Sequence, residues 1–142
     1  MKALRHTGIV VKDLEKMLHF YADLLGLSVV KRMDESSTYI DLLTALKGVS
    51  VTTVKLSAKD ASVIELLYFR THPANAPGEK GIASPGISHV AFSVNDVDFE
   101  YQRLLKAGIV FLSSPQRSPD GFAKVVFCKD YENNLIELVQ EL

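Results

Sequence analysis

Apolar and polar positions change period several times along this chain, and each change marks an element. From Leu14 the apolar residues recur at spacings of three and four, through Met17, Leu18, Tyr21, Leu24 and Leu25. That spacing predicts an amphipathic helix with one buried stripe. Asp13 precedes the stripe as its N-cap, with a carboxylate placed to accept an N–H of the first turn, and Gly26 stands where a left-handed residue ends a helix. The pattern returns at Val97, Tyr101, Leu104 and Leu105, with Asn95 or Asp96 as cap and Gly108 as stop. Val49 to Leu56 and Ser62 to Phe69 are rich in β-branched residues and flank a turn at Ser57 to Ala61, which predicts a hairpin. Phe122 to Cys128 and Leu135 to Val139 predict a second hairpin around Asp130 to Asn134. Tyr39 to Lys47 fits a short helix or an irregular crossover.

The elements come twice. His6-Thr-Gly-Ile-Val-Val-Lys-Asp13 reappears as His89-Val-Ala-Phe-Ser-Val-Asn-Asp96, with both the His and the Asp 83 residues apart. Each half closes on a similar strand, Val63-Ile-Glu65-Leu-Leu and Leu135-Ile-Glu137-Leu-Val. The chain therefore reads as one α+β domain, 1–142, built from half-modules 1–70 and 87–142. Each module is a strand, a helix and three strands. Residues 71–86 join them as a linker, because their three prolines and three glycines will not hold a regular element.

Composition narrows what such a chain does. Sixteen basic and seventeen acidic residues give a net charge of −1 without long runs of one sign, so no footprint for nucleic acid or anionic lipid is present. The apolar runs are too short to span a bilayer, and the N-terminus lacks a signal-peptide pattern. Cys128 is the only cysteine, which forbids an internal disulfide and fits a reducing compartment. A cytoplasmic protein is expected, with Cys128 as core packing.

The repeat singles out four residues. Glu65 and Glu137 each stand inside an apolar strand, where alternation puts them opposite their immediate neighbours. Read alone, each could sit on the solvent face of an antiparallel sheet. If that face lines a cavity, however, a buried carboxylate needs a partner. Two histidines and two glutamates at equivalent positions supply a common one, a divalent cation held by His6, Glu65, His89 and Glu137. Modules related by a pseudo-twofold axis would bring equivalent strand positions together.

Several stretches carry a resemblance over nearly the whole chain: His6 to Glu15, Phe20-Tyr21, Leu25-Gly26-Leu27, Ile64-Glu65-Leu66, Gly86-Ile-Ser-His89-Val-Ala-Phe and Asn134-Leu-Ile-Glu137-Leu. They resemble the vicinal oxygen chelate superfamily, which includes glyoxalase I, methylmalonyl-CoA epimerase, extradiol dioxygenases, fosfomycin-resistance enzymes and bleomycin-resistance proteins. The resemblance implies paired βαβββ modules forming a cupped mixed sheet around a metal, and its metal positions carry over onto the same four residues.

A shell of two His and two Glu without thiolate suits Zn²⁺, Ni²⁺, Co²⁺ or Mn²⁺. Such an ion polarises vicinal oxygens of a small-molecule substrate and stabilises an enediolate or enolate when a neighbouring proton leaves. The expected function is a lyase or isomerase of glyoxalase I or epimerase type, acting on a small 2-oxo or 2-hydroxy (thio)ester-like substrate. In glyoxalase I-like members a ligand glutamate carries the proton, which makes Glu137 and Glu65 the catalytic candidates. The alternatives are an extradiol-type ring-cleaving dioxygenase using iron, and a non-catalytic small-molecule binding protein. Thr53, Lys55 and Lys124 touch substrate if they point inward; Arg70, Arg117, His19 and His72 read as ordinary surface residues. A homodimer is expected, with the cup closed within one chain or across two.

Overall fold

Backbone pairing turns the repeated sequence into two four-stranded mixed sheets, one in each half of the chain. The computed structural model describes residues 2–74 and 82–142, and the chain divides into units Met1–Ala76 and Pro77–Leu142. Residues 75–81 of the expected linker lie outside the described residues.

In the first unit, β1 (Thr7–Val10) leads into α1, which is α-helical over Leu14–Leu18 and π-helical over His19–Leu24. Then come β2 (Ser28–Glu35), α2 (Thr38–Thr44), β3 (Val51–Ser57) and β4 (Val63–Phe69). The strand order is β1-β4-β3-β2, with β1 parallel to β4 and the other pairs antiparallel. The second unit contains β5 (His89–Ser93), α3 (Val97–Lys106), β6 (Gln116–Arg117), β7 (Ala123–Lys129) and β8 (Leu135–Glu141). Its order, β5-β8-β7-β6, repeats the same mixture of parallel and antiparallel pairs. Both units are βαβββ modules of the α+β class, and α2 settles the ambiguous stretch as helix.

The helix ends form as the sequence predicts, but their interiors differ. Asp13 accepts the Lys16 N–H at 3.0 Å, and Gly26 takes φ +75°. Inside α1 the Leu25 N–H reaches back five residues to the Phe20 carbonyl at 2.9 Å. Phe20 and Tyr21, three and four residues after buried Met17, are both at 0 % exposure at this wider turn. Helix α3 stays regular, with Asp96 accepting the Phe99 N–H at 2.9 Å and Gly108 at φ +83°. Val97 and Leu104 are buried and Tyr101 packs edge-on against Phe111 at 4.7 Å. Leu105, expected to face inward, is 45 % exposed, because those three residues already fill the stripe and leave it at the edge.

Each sheet turns one face to a core of aliphatic side chains, and in the first unit Ile40, Val49 and Val51 also pack with Leu67 and Phe69 on the other face. In the first unit, Ile64 and Leu66 pair with Leu56 and Val54 on the buried side. In the second, Ile136 and Leu138 pair with Cys128 and Val126, also buried. Each fully buried leucine contributes about 1.5–3 kcal/mol. Strand alternation turns the intervening residues, Glu65 and Glu137, to the opposite face.

Candidate metal centre

The parallel pairing in each unit brings a histidine to a glutamate. Gly8 of β1 lies beside Glu65, and His6, two residues earlier, falls on the same face. His6 Nε2 stands 3.0 Å from Glu65 Oε2. In the second unit Ala91 lies beside Glu137, and His89, two residues earlier, places Nε2 3.1 Å from Glu137 Oε2. The glutamate side chains are only 13 % and 19 % exposed, so neither stands on an open solvent face. The four expected ligands thus occur as two equivalent pairs. Among the described residues no group of three or more His, Cys, Asp or Glu gathers within reach of one ion.

The surroundings of the pairs differ. Cross-strand from Glu65 is Lys55, whose Nζ lies 3.4 Å from Glu65 Oε1. The corresponding neighbour of Glu137 is Phe127, whose ring meets the His89 ring edge-on at 5.3 Å. Ser88 Oγ lies 2.8 Å from His89 Nδ1, which fixes one ring nitrogen and leaves Nε2 directed at the carboxylate. Ser88 and Phe127 were not singled out from sequence. Adjacency to His89 marked the first, and hairpin register with Glu137 the second.

Each pair offers donor types that a divalent ion accepts, at a separation that a direct hydrogen bond also gives. Nitrogen and oxygen donors lie about 2.0–2.2 Å from a zinc-type ion, and two of them at a right angle stand about 3 Å apart. The pairs show 3.0 and 3.1 Å, between donor types that such ions accept.

The remaining candidates fall into place. Thr53 and Lys55 lie on the Glu65 face by register. Lys124 does not share the Glu137 face: it pairs with Gln140 and its ammonium bonds Asp98 of α3, which turns it to the helix side. Arg70 is tied to Asp34 at 2.7 Å and to Ser50, and Arg117 bonds the Gly121 carbonyl. The Thr52 hydroxyl, and then Arg70, hold the Asp34 carboxyl below its ordinary range. A cavity of about 480 Å³ in the first unit borders Asp34, Thr52, Tyr68 and Arg70, which register places on the face away from Glu65. Its volume therefore does not mark the His6–Glu65 site. Cys128 is fully buried, and burial followed by the nearby Asp130 charge pushes its thiol up to about 12. His19 bonds Asp23 on the surface, while half-buried His72 meets Thr71.

A known family description, the Glyoxalase/Bleomycin resistance protein/Dioxygenase superfamily, matches this chain over residues 3–138. The chain belongs to this superfamily. It is 29 % identical over 137 residues to a probable lactoylglutathione lyase of Synechocystis sp., covering 96 % of this chain and 94 % of that protein. Its fold superposes on a glyoxalase family protein from Bacillus cereus with a TM-score of 0.91 at 25 % identity, over 100 % of this chain and 95 % of the other. The fosfomycin resistance protein FosX of Listeria monocytogenes, solved with Mn(II) and sulfate, shares the superfamily fold at TM-score 0.67 and 16 % identity, covering 100 % and 94 %. No helix among the described residues is long and apolar enough to cross a membrane.

Proposed function

We propose that His6, Glu65, His89 and Glu137 together hold one divalent metal ion, and that the protein is a lyase or isomerase acting by proton transfer on a small-molecule substrate. The observation that carries this reading is the duplicated His–Glu pair at 3.0 and 3.1 Å. Two donors are too few for a protein metal site, which takes three or four. The shell therefore needs both pairs, from one chain or from two copies in a homodimer. When bound, the ion supplies Lewis acidity toward adjacent oxygens of the substrate.

The chain's own residues supply the rest. The histidines orient the carboxylates, and Ser88 keeps the His89 ring in place. Glu137 moves the proton: its strand follows the tight Tyr131 to Asn134 turn, and no lysine stands cross-strand from it as Lys55 does from Glu65. The lactoylglutathione lyase name of the Synechocystis relative favours this chemistry over ring cleavage.

Elemental analysis of protein purified without chelator tests the shell. About one divalent ion per subunit is expected, and His6→Ala and Glu137→Gln should each lose most of it. Full occupancy in both variants sinks the assignment. Hemithioacetal conversion, or solvent deuterium entering a 2-oxo or 2-hydroxy thioester, tests the reaction. Oxygen uptake with a catechol, without deuterium exchange, would replace it with a dioxygenase.

A further inference from the structure

Register across the first sheet sets Lys31, Lys55 and Glu65 side by side on β2, β3 and β4. Like charges directly opposite on neighbouring strands are unfavourable, and of the Lys31–Lys55 pair only Lys55 also faces an opposite charge, that of Glu65 on β4. The shared framework does not require this lysine, since the second sheet places Phe127 at the position of Lys55. Lys55 is nonetheless held at the site: its side chain is 32 % exposed and its ammonium is 3.4 Å from Glu65 Oε1.

A divalent ion and an ammonium sharing one carboxylate repel each other, and an anion beside both relieves that repulsion. Charge counting agrees. Two carboxylates and one divalent ion sum to zero, and Lys55, its ammonium 3.4 Å from Glu65 Oε1, brings the proposed site to +1. We infer that Lys55 is the anion-recognition residue of this site and receives a carboxylate of the substrate. This rests on the metal reading above and narrows its substrate class to small monoanionic 2-oxo or 2-hydroxy acids and their conjugates. Lys31, exposed one strand further out, extends the positive row along which such an anion approaches.

Calorimetric titration of the zinc-loaded full chain with pyruvate and with methyl pyruvate measures the anion preference as a ratio of affinities. The ester keeps the vicinal oxygens and lacks the negative charge. Pyruvate should bind at least about tenfold tighter to the wild type, as expected of a charge-assisted contact. Lys55→Gln should lower that ratio about tenfold with zinc content unchanged, and Lys55→Arg should restore most of it. An unchanged ratio in Lys55→Gln, or equal or undetectable binding of both probes to the wild type, overturns the assignment. Elemental analysis of the same samples separates the two ideas. A ratio that depends on Lys55 in protein unable to hold zinc would keep the anion site and sink the metal shell.

Discussion

The His6–Glu65 and His89–Glu137 pairs share strand type, spacing and exposure, but a different third side chain leans on each. Lys55 engages the second oxygen of Glu65, whereas Phe127 rests against His89 and brings no charge to Glu137. The two modules share the donors and differ in their neighbours. Donors held in common suit a task that both pairs perform together, and the divergent neighbours suit tasks that each half performs by itself. Glu65 is tethered by an imidazole and an ammonium, which fits a fixed ligand. Glu137 meets its histidine beside an aromatic wall, which fits a carboxylate that leaves and returns.

The largest expected effect breaks or upholds that division. With both variants saturated in metal, Glu137→Gln should lose about 10²–10⁴ in turnover, the span of a general acid–base group. Glu65→Gln should lose about tenfold or less at the same occupancy, as for a ligand that only helps to orient. A larger loss in Glu65→Gln would exchange the two roles. Lys55→Phe sharpens the comparison by giving the first pair the surroundings of the second. In that background the gap between the two glutamate variants should narrow, and an unaltered gap would mean that Lys55 does not set it.

A second comparison concerns the two cores, which the sequence pattern makes equivalent. Leu66 and Leu138 are 0 % and 1 % exposed at matching positions beside Glu65 and Glu137. Leu66→Ala and Leu138→Ala should each lower stability in urea unfolding by about 2–5 kcal/mol through lost burial and a residual cavity. A cost below about 1 kcal/mol in one of them would show that its sheet closes the gap.

The legible parts of the molecule were those that repeat. The βαβββ order, the Asp13 cap, a second cap at Asn95 or Asp96 and the two left-handed glycines followed from spacing, because a cap or a stop depends on a few neighbouring residues. The repeat named His6, Glu65, His89 and Glu137 as one set, whereas their division into two His–Glu pairs comes from the parallel register of β1 with β4 and of β5 with β8. What periodicity missed depends on geometry that spacing does not encode. The π-turn at buried Phe20 and Tyr21 keeps the three-and-four pattern of an ordinary helix. The inward or outward sense of a strand lysine depends on register: Lys55 and Lys124 look alike in sequence, yet one reaches Glu65 and the other Asp98.

The smallest expected difference lies at the helix starts. Asp13 and Asp96 do the same work, each accepting an N–H from the third residue after it. At α3 there is a second acceptor: Gln140 Oε1 receives the Val97 N–H at 3.0 Å, anchoring the first turn to β8. Removing an aspartate cap costs about 0.5–2 kcal/mol, typically near 1. Asp13→Ala should therefore cost about 1 kcal/mol, while Asp96→Ala should fall near the lower end of that span, because Gln140 still holds one N–H of the turn. Gln140→Ala combined with Asp96→Ala should cost more than the two single changes added together, since each acceptor alone keeps the turn in place. Thermal unfolding of the four variants resolves these differences. If Asp96→Ala proved the costlier single change, Gln140 would have to be struck out as a supporting cap.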